Sequence, residues 1–94
     1  MTDFLRKLIT DAVAAGFTLD VNHEGETDYL GTNPDEAYKA ATACDCMWIN
    51  LIAADGKVTG YALVINGLND DEVIADYSGQ WLDEWWNRNI GSNL

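Results

Sequence analysis

The sequence has few of the residues that build a chemical site. It contains one histidine and two cysteines, and it has no phosphate-binding glycine loop, nucleophile elbow or HExxH motif. Cys44 and Cys46 are separated by one residue and His23 lies far from both, whereas structural zinc takes four ligands with wider spacing. The sequence therefore predicts no enzyme, no cofactor and no metal site. Both thiols are expected to be buried and reduced, as in a cytosolic protein.

Positive charge is also scarce. Five Lys and Arg residues face 16 Asp and Glu residues, which gives a net charge of −11 at pH 7. Such a field repels nucleic acid and anionic membranes and attracts basic proteins, so neither nucleic acid nor membrane is an expected partner. Two interpretations stay open. The charge serves solubility alone, or it faces a basic partner such as the nucleic-acid groove of another protein.

Long apolar runs are absent. No run approaches the roughly 20 residues that span a bilayer, and the N-terminal residues MTDFLRKLITDAVAAG mix charges in an amphipathic pattern unlike that of a secretory signal. These features predict a soluble, cytoplasmic protein. The length of 94 residues is that of one domain, expected over residues 1–94, and a hydrophobic content of 48% is not that of a disordered chain.

The first half of the chain predicts a helix, a hairpin and a second helix. Apolar residues at helical spacing favour a helix over residues 3–15. Residues 17–21 alternate as a strand does, and residues 26–30 form the return strand. Asn33-Pro34-Asp35-Glu36 is a typical helix start, and that helix runs to about residue 43. The polar residues expected on the solvent side of the first helix are Arg6, Lys7 and Asp11.

The second half predicts the centre of the sheet. Residues 46–53 and 58–65 form two strands joined by a turn at Asp55-Gly56. Both strands are apolar on both faces, so the second face is expected to be covered by a helix or by another chain. Residues 73–77 fit either a short helix or an edge strand, and a last helix covers residues 80–89. The expected core includes Trp48, Leu63, Ile65 and Trp85.

These elements predict a single α+β domain in the order α-β-β-α-β-β-α. Its antiparallel sheet has about four strands and packs with three helices. A weak internal repeat, NPDE at 33–36 and NDDE at 69–72, supports the arrangement because each motif follows a predicted hairpin.

Candidate partner-binding residues are two groups of carboxylates and one tryptophan. One group lies along the first hairpin, where side chains at alternate strand positions are about 6.7 Å apart and would form an acidic ladder. The alternative is an edge strand whose charges prevent it from pairing with the edge of another sheet. The other group follows the Asn66-Gly67 break. The tryptophan lies at the border of the last helix's apolar stripe, where such residues anchor interfaces. The candidates are Asp20, Glu24, Glu26 and Asp28, then Asp70, Asp71, Glu72 and Asp76, and Trp86.

Three segments carry a resemblance to a known class of proteins. They are the opening helix TDFLRKLI leading into FTLDV, the acidic loop NDDE and the acidic-aromatic end WLDEWW. In architecture and composition, most of the chain resembles small acidic phage and prophage accessory proteins of the anti-CRISPR and nucleic-acid-mimic type. The resemblance implies a phage-derived inhibitor that acts in the host cytoplasm on a basic, nucleic-acid-binding host protein.

Two alternatives stay open. The chain is a small structural or accessory protein that self-associates, as a homodimer, through its apolar sheet or tryptophan surface. Otherwise it is an immunity-type antidote to a basic toxin. Such an antidote would bind through the same acidic surface as the inhibitor and would differ only in its partner.

Overall fold

The computed structural model describes residues 4–66 and 73–89, which form three helices and a five-stranded sheet. All strand pairs are antiparallel, in the order β2-β1-β3-β4-β5. The predicted α+β class is therefore confirmed, and the predicted number of strands is one too few. In chain order the elements are α1 (Phe4–Ala14), β1 (Thr18–His23), β2 (Glu26–Gly31), α2 (Pro34–Ala41), β3 (Cys46–Ile52), β4 (Val58–Ile65), β5 (Ile74–Ser78) and α3 (Gln80–Asn89).

The additional strand is β5, the segment that the sequence left ambiguous. It pairs with β4 along one edge of the sheet, and its register shifts between Leu63 and Val64. Ile74 is buried whereas Ala75 and Asp76 are both exposed, because a bulge breaks the alternation of faces. Because the alternation of buried and exposed residues is broken, this segment does not show the period of two that identifies a strand in a sequence.

Both hairpin turns use residues at positive φ. In the β1–β2 turn, Glu24 has φ 50° and Gly25 has φ 84°, as a two-residue type I′ turn requires. The β3–β4 turn is closed by a 2.8 Å hydrogen bond from Ala53 N to Lys57 O, with Gly56 at φ 86°. The predicted turn at Asp55-Gly56 is thus confirmed.

The start of α2 is also as predicted. Asn33 Oδ1 accepts hydrogen bonds from the backbone N of Asp35 at 3.0 Å and of Glu36 at 3.2 Å, and Pro34 occupies the first turn. The helix ends at Ala41, two residues before the predicted end. There Thr42 Oγ1 donates to Tyr38 O at 2.9 Å, beside the hydrogen bond that Thr42 N makes to the same oxygen.

The three helices cover one face of the sheet and enclose a single core. Strand residues that are partners in the register are buried together on this face, as in the pairs Leu19 with Leu51 and Val21 with Ile49. The helices contribute the other side of the core. Their buried residues are Leu5, Leu8, Ile9, Ala12, Ala37, Ala41, Leu82 and Trp85.

The other face of the sheet is not covered by any helix that the structure describes. Trp48 and Leu63 are opposite one another in the β3–β4 register, and both are half-buried without joining the core. The expectation that Trp48, Leu63 and Ile65 share a core with Trp85 is therefore wrong, because strand alternation places them on opposite sides of the sheet. We call this second face the open face. It is defined by Thr27 and Leu30 on the edge strand β2, and by Asp20, Asn22, Cys46, Trp48, Asn50, Tyr61, Leu63, Ile65 and Asp76 on the other strands.

Both cysteines are free, and they differ in burial. Cys44 is half-buried and packs against the core, whereas Cys46 is exposed at the start of β3. The expectation that both thiols are buried is wrong for Cys46, because its position in the register is opposite Ile65 on the open face. Separately, none of the described helices has the length and apolar content needed to cross a membrane.

Candidate protein-binding surface

Charge is distributed unequally between the two layers of the molecule. The three helices carry four cationic residues and five carboxylates. The strands and turns in the described part of the chain carry seven carboxylates and one cationic residue, Lys57. All five Lys and Arg residues of the chain are among those described. Among the described residues, the net negative charge therefore lies mainly on the strands and turns.

The charges of α1 are partly neutralised by neighbours. Arg6 Nη1 lies 3.1 Å from Asp35 Oδ1, and the guanidinium lies 4.1 Å from the centre of the Tyr38 ring. Lys7 Nζ lies 3.3 Å from Asp11 Oδ2. Exposed pairs of this kind stabilise a fold by only about 0–1 kcal/mol, but they do cancel charge locally on the helix layer.

On one side of the apolar centre of the open face is a polar cluster around Asp20, with Leu30 of the edge strand β2 beyond it. Asp20 Oδ1 accepts a hydrogen bond from Thr27 Oγ1 at 2.9 Å, and its Oδ2 accepts one from Asn50 Nδ2 at 3.4 Å. Asn22 Nδ2 donates to the Asp20 backbone carbonyl at 3.4 Å. The contacts with Thr27 and Asn50 hold the carboxylate on the open face.

The opposite side of the apolar centre holds Asp76. This exposed residue is opposite Leu63 in the β4–β5 register, and its Oδ1 accepts a hydrogen bond from Tyr77 N at 2.9 Å. Three strand spacings and a two-residue offset separate Asp76 from Asp20, a distance of about 16 Å. The centre of the open face is therefore flanked by a carboxylate on each side.

The centre of the open face is apolar and aromatic. The rings of Trp48 and Tyr61 lie 5.3 Å apart, centroid to centroid, and are inclined at 57°. Leu63 lies opposite Trp48, and Ile65 continues the row along β4. These side chains are only half-buried because they shield one another on a face that no described helix touches. Aromatic side chains of this kind are enriched at the centre of protein interfaces.

The acidic ladder predicted on the first hairpin does not form. The β1–β2 register shifts between Val21 and Asn22, and Asp28 has no partner in the register. Thr27 shares the face of Asp20, since the two side chains are hydrogen-bonded, and so Glu26 points to the other face. Asp28 lines an open depression of about 460 Å³ between β2 and α2, beside Glu36 and Lys39. A bulge of one residue has therefore divided the four carboxylates.

Glu24 lies at the tip of this hairpin in a conformation that favours glycine or asparagine. A non-glycine residue in this region costs about 1–2 kcal/mol, because Cβ approaches the following carbonyl oxygen. Glu24 is exposed to solvent, as is Glu26. The two carboxylates flanking Gly25 therefore project from one end of the sheet.

The second predicted acidic group is described only in part. Asp70, Asp71 and Glu72 lie outside the described residues. Asp76, the remaining member, lies on β5 and belongs to the open face.

Trp86, the predicted contact residue, lies on the helix layer. Its ring stacks on Tyr77 with centroids 5.1 Å apart and an interplanar angle of 21°, and it packs against the core. Tyr77 donates a hydrogen bond from its hydroxyl to Asp83 Oδ1 at 3.1 Å. Loss of hydration raises the pKa of Tyr77, and the carboxylates of Asp83 and Asp76 raise it further. Trp86 is thus half-buried between α3 and β5 and is not part of the open face.

The described residues bring no three His, Cys, Asp or Glu side chains together in a geometry that would hold a metal ion. His23 lies at the end of β1, paired with Glu26 in the register. Comparisons with protein-family models, with curated proteins and with solved structures find no match to this chain.

Proposed function

We propose that this protein is a non-catalytic, phage-derived inhibitor that occupies a basic, nucleic-acid-binding surface of a host protein in the host cytoplasm. The observation that supports the proposal is the unequal charge of the two layers, with seven carboxylates and one cation on the described strands and turns. Duplex DNA presents one negative charge per about 1.7 Å of its axis. A protein that competes with DNA needs clustered carboxylates, and the described strands and turns carry more of them than the helices do, with fewer cations to offset them.

The surface proposed to bind the partner has three parts. The first is the β1–β2 hairpin tip, where Glu24 and Glu26 project. The second is the pair of carboxylates flanking the centre of the open face, Asp20 and Asp76. The remaining candidates are those predicted from the sequence alone, namely Asp28, Asp70, Asp71, Glu72 and Trp86.

A second candidate function is self-association through the open face. The observation that favours it is the half-buried cluster of Trp48, Tyr61 and Leu63, which no described helix covers. Two copies packed through this face would, however, bring four carboxylates from Asp20 and Asp76 into one interface. Like charges juxtaposed at an interface oppose binding, so self-association ranks second. An immunity-type antidote to a basic toxin would use the same surface as the inhibitor.

The test begins with capture of the host partner on the immobilised protein at about 50 mM and about 500 mM NaCl, since salt screens charged contacts. The captured protein is then purified and its affinity is measured with two charge-reversed variants. Glu24→Lys/Glu26→Lys changes the hairpin tip, and Glu36→Lys/Glu84→Lys makes the same change in net charge on exposed helix positions. Binding of duplex DNA to the partner is measured in competition.

The hairpin variant should lose about tenfold or more in affinity, mainly through a slower association rate. The helix variant should lose much less, and the wild type should displace DNA. Equal losses for the two variants, or capture that is indifferent to salt, would mean that the acidity serves only solubility. A stable dimer of the free protein at micromolar concentration in sedimentation equilibrium would favour the second candidate.

A further inference from the structure

We infer that the open face is a docking site for an extended segment of the partner that carries one apolar side chain between two cationic ones. The inference rests on the proposed function and specifies the chemistry of the partner. It depends on two independent features of the face, an apolar centre and a flanking pair of carboxylates.

The apolar centre supplies the contact area. Trp48 and Tyr61 lie in ring contact on neighbouring strands, and Leu63 faces Trp48 across them. Each of these side chains is already partly shielded by its neighbours, so little conformational freedom is lost when a partner covers the rest. Tryptophan and tyrosine in such positions contribute disproportionately to binding free energy.

The flanking carboxylates specify the sign of the partner's charge. Asp20 is held by Thr27 and Asn50 on one side of the apolar centre, and Asp76 lies on the other. None of the chain's five cationic side chains lies on this face, because four belong to the helices and Lys57 belongs to the β3–β4 turn. A neutral or acidic partner would remove water from these carboxylates without pairing them, which is unfavourable. Cations on the partner remove that penalty.

The spacing specifies the form of the segment. In an extended chain the side chains at positions i, i+2 and i+4 point to one face, and the outer two are about 13.5 Å apart. Long, flexible lysine or arginine side chains at these positions reach carboxylates about 16 Å apart. The matching segment is therefore cation-x-apolar-x-cation, with the apolar side chain over Trp48 and Leu63.

The probe is a pair of capped peptides of equal composition. One contains Lys-Thr-Leu-Thr-Lys, which places leucine on the same face as both lysines. The other contains Lys-Leu-Thr-Thr-Lys, which places leucine on the opposite face. Binding is followed by changes in the amide and indole resonances of the isotopically labelled protein. The first peptide should bind about tenfold more tightly and shift the signals of Trp48 and Leu63.

Two variants test the two features separately, each with a matched control. Leu63→Thr removes the apolar contact from a half-buried position away from the core. Its control is Val58→Thr, five residues away at the end of the same strand, where the side chain is 58% exposed. Asp20→Asn/Asp76→Asn removes both flanking charges while keeping the side-chain shapes. Its control, Glu36→Gln/Glu84→Gln, removes two charges from the helices.

Leu63→Thr and Asp20→Asn/Asp76→Asn should each lower the affinity of the protein for the first peptide by about fivefold or more. The affinities of the two control variants should stay within about twofold of the wild-type value. The inference is overturned if the two peptides bind equally, if the shifts lie elsewhere, or if the controls match the test variants. It is also overturned if Leu63→Thr dissolves a dimer, which would assign the face to a second copy. Salt-dependent capture of a basic partner without this peptide preference would leave the proposed function standing. The peptide preference without salt-dependent capture of a basic partner would support the docking site and contradict the proposed function.

Discussion

At the scale of the residue, the carboxylate of Asp11 joins the first helix to the last. Its Oδ2 accepts a 2.8 Å hydrogen bond from Trp85 Nε1 and lies 3.3 Å from Lys7 Nζ. Trp85 is only 1% exposed, so its indole N–H has little access to water as a substitute acceptor. Buried N–H groups are nearly always paired, and here the acceptor comes from α1.

We therefore predict that Asp11→Ala lowers the free energy of unfolding by about 1–3 kcal/mol, because the buried donor loses its acceptor. Asp11→Asn keeps an acceptor oxygen at nearly the same place and should cost less than about half as much. Urea unfolding with a common m-value compares the two variants. Equal losses would indicate that the hydrogen bond contributes little and that the charge beside Lys7 is what matters.

The role of Asp11 could not be predicted from the sequence. Helical spacing groups it with Arg6 and Lys7 on the solvent side, and that expectation is wrong for Asp11 because it contacts a residue 74 positions away. No local pattern records a contact of this kind. The division of Glu26 and Asp28 from Asp20 has a similar cause, since the bulge depends on strand pairing and not on residue type.

At the scale of the element, the end of β5 passes unusually close to the start of β4. A Cβ added to Gly79 would lie 2.7 Å from Thr59 O and 2.9 Å from Gly60 Cα, and Gly79 has φ +114°. Only glycine fits this contact without distortion. The approach lets α3 begin directly after β5 and return over β4 and β5.

We predict that Gly79→Ala destabilises the fold more than Gly56→Ala does. Gly56 also has a positive φ, +86°, but a Cβ there meets open space. Its replacement should cost about 1–2 kcal/mol through backbone strain alone. Gly79→Ala adds overpacking against β4, worth about 1–3 kcal/mol more. Thermal and urea unfolding of both variants give the difference. A similar cost for both would show that the β4–β5 contact relaxes freely.

Most elements could be predicted because their signals are local. The bounds of β4 and α3 are as expected, and the Asn33 cap and the Asp55-Gly56 turn depend on neighbouring residues alone. That β3 and β4 are apolar on both faces was also predicted correctly. Which of those faces the helices cover could not be predicted, because alternation gives the two sides of a strand without saying which side the helices pack against. The open face with Trp48 and Leu63 is the consequence.

At the scale of the whole molecule, the net charge of −11 acts across the entire structure. The described residues extend over 34 × 27 × 20 Å. At about 0.01 M salt the Debye length is about 30 Å, so carboxylates on all sides repel one another, whereas at about 0.15 M it is about 8 Å. In the higher salt only neighbouring charges interact. Self-repulsion of a compact, strongly charged protein destabilises its folded state.

We therefore predict that the free energy of unfolding rises as NaCl increases from about 0.01 M to about 0.15 M. The rise should be smaller for Glu24→Gln/Glu26→Gln than for Glu36→Gln/Glu84→Gln, although both pairs remove two charges. The reason is that the first pair lies in the acidic sheet layer, whereas the helices carry nearly balanced charge. Urea unfolding in each salt concentration measures the effect. A fall in stability with salt would instead mean that attractive contacts such as Arg6 with Asp35 outweigh the repulsion.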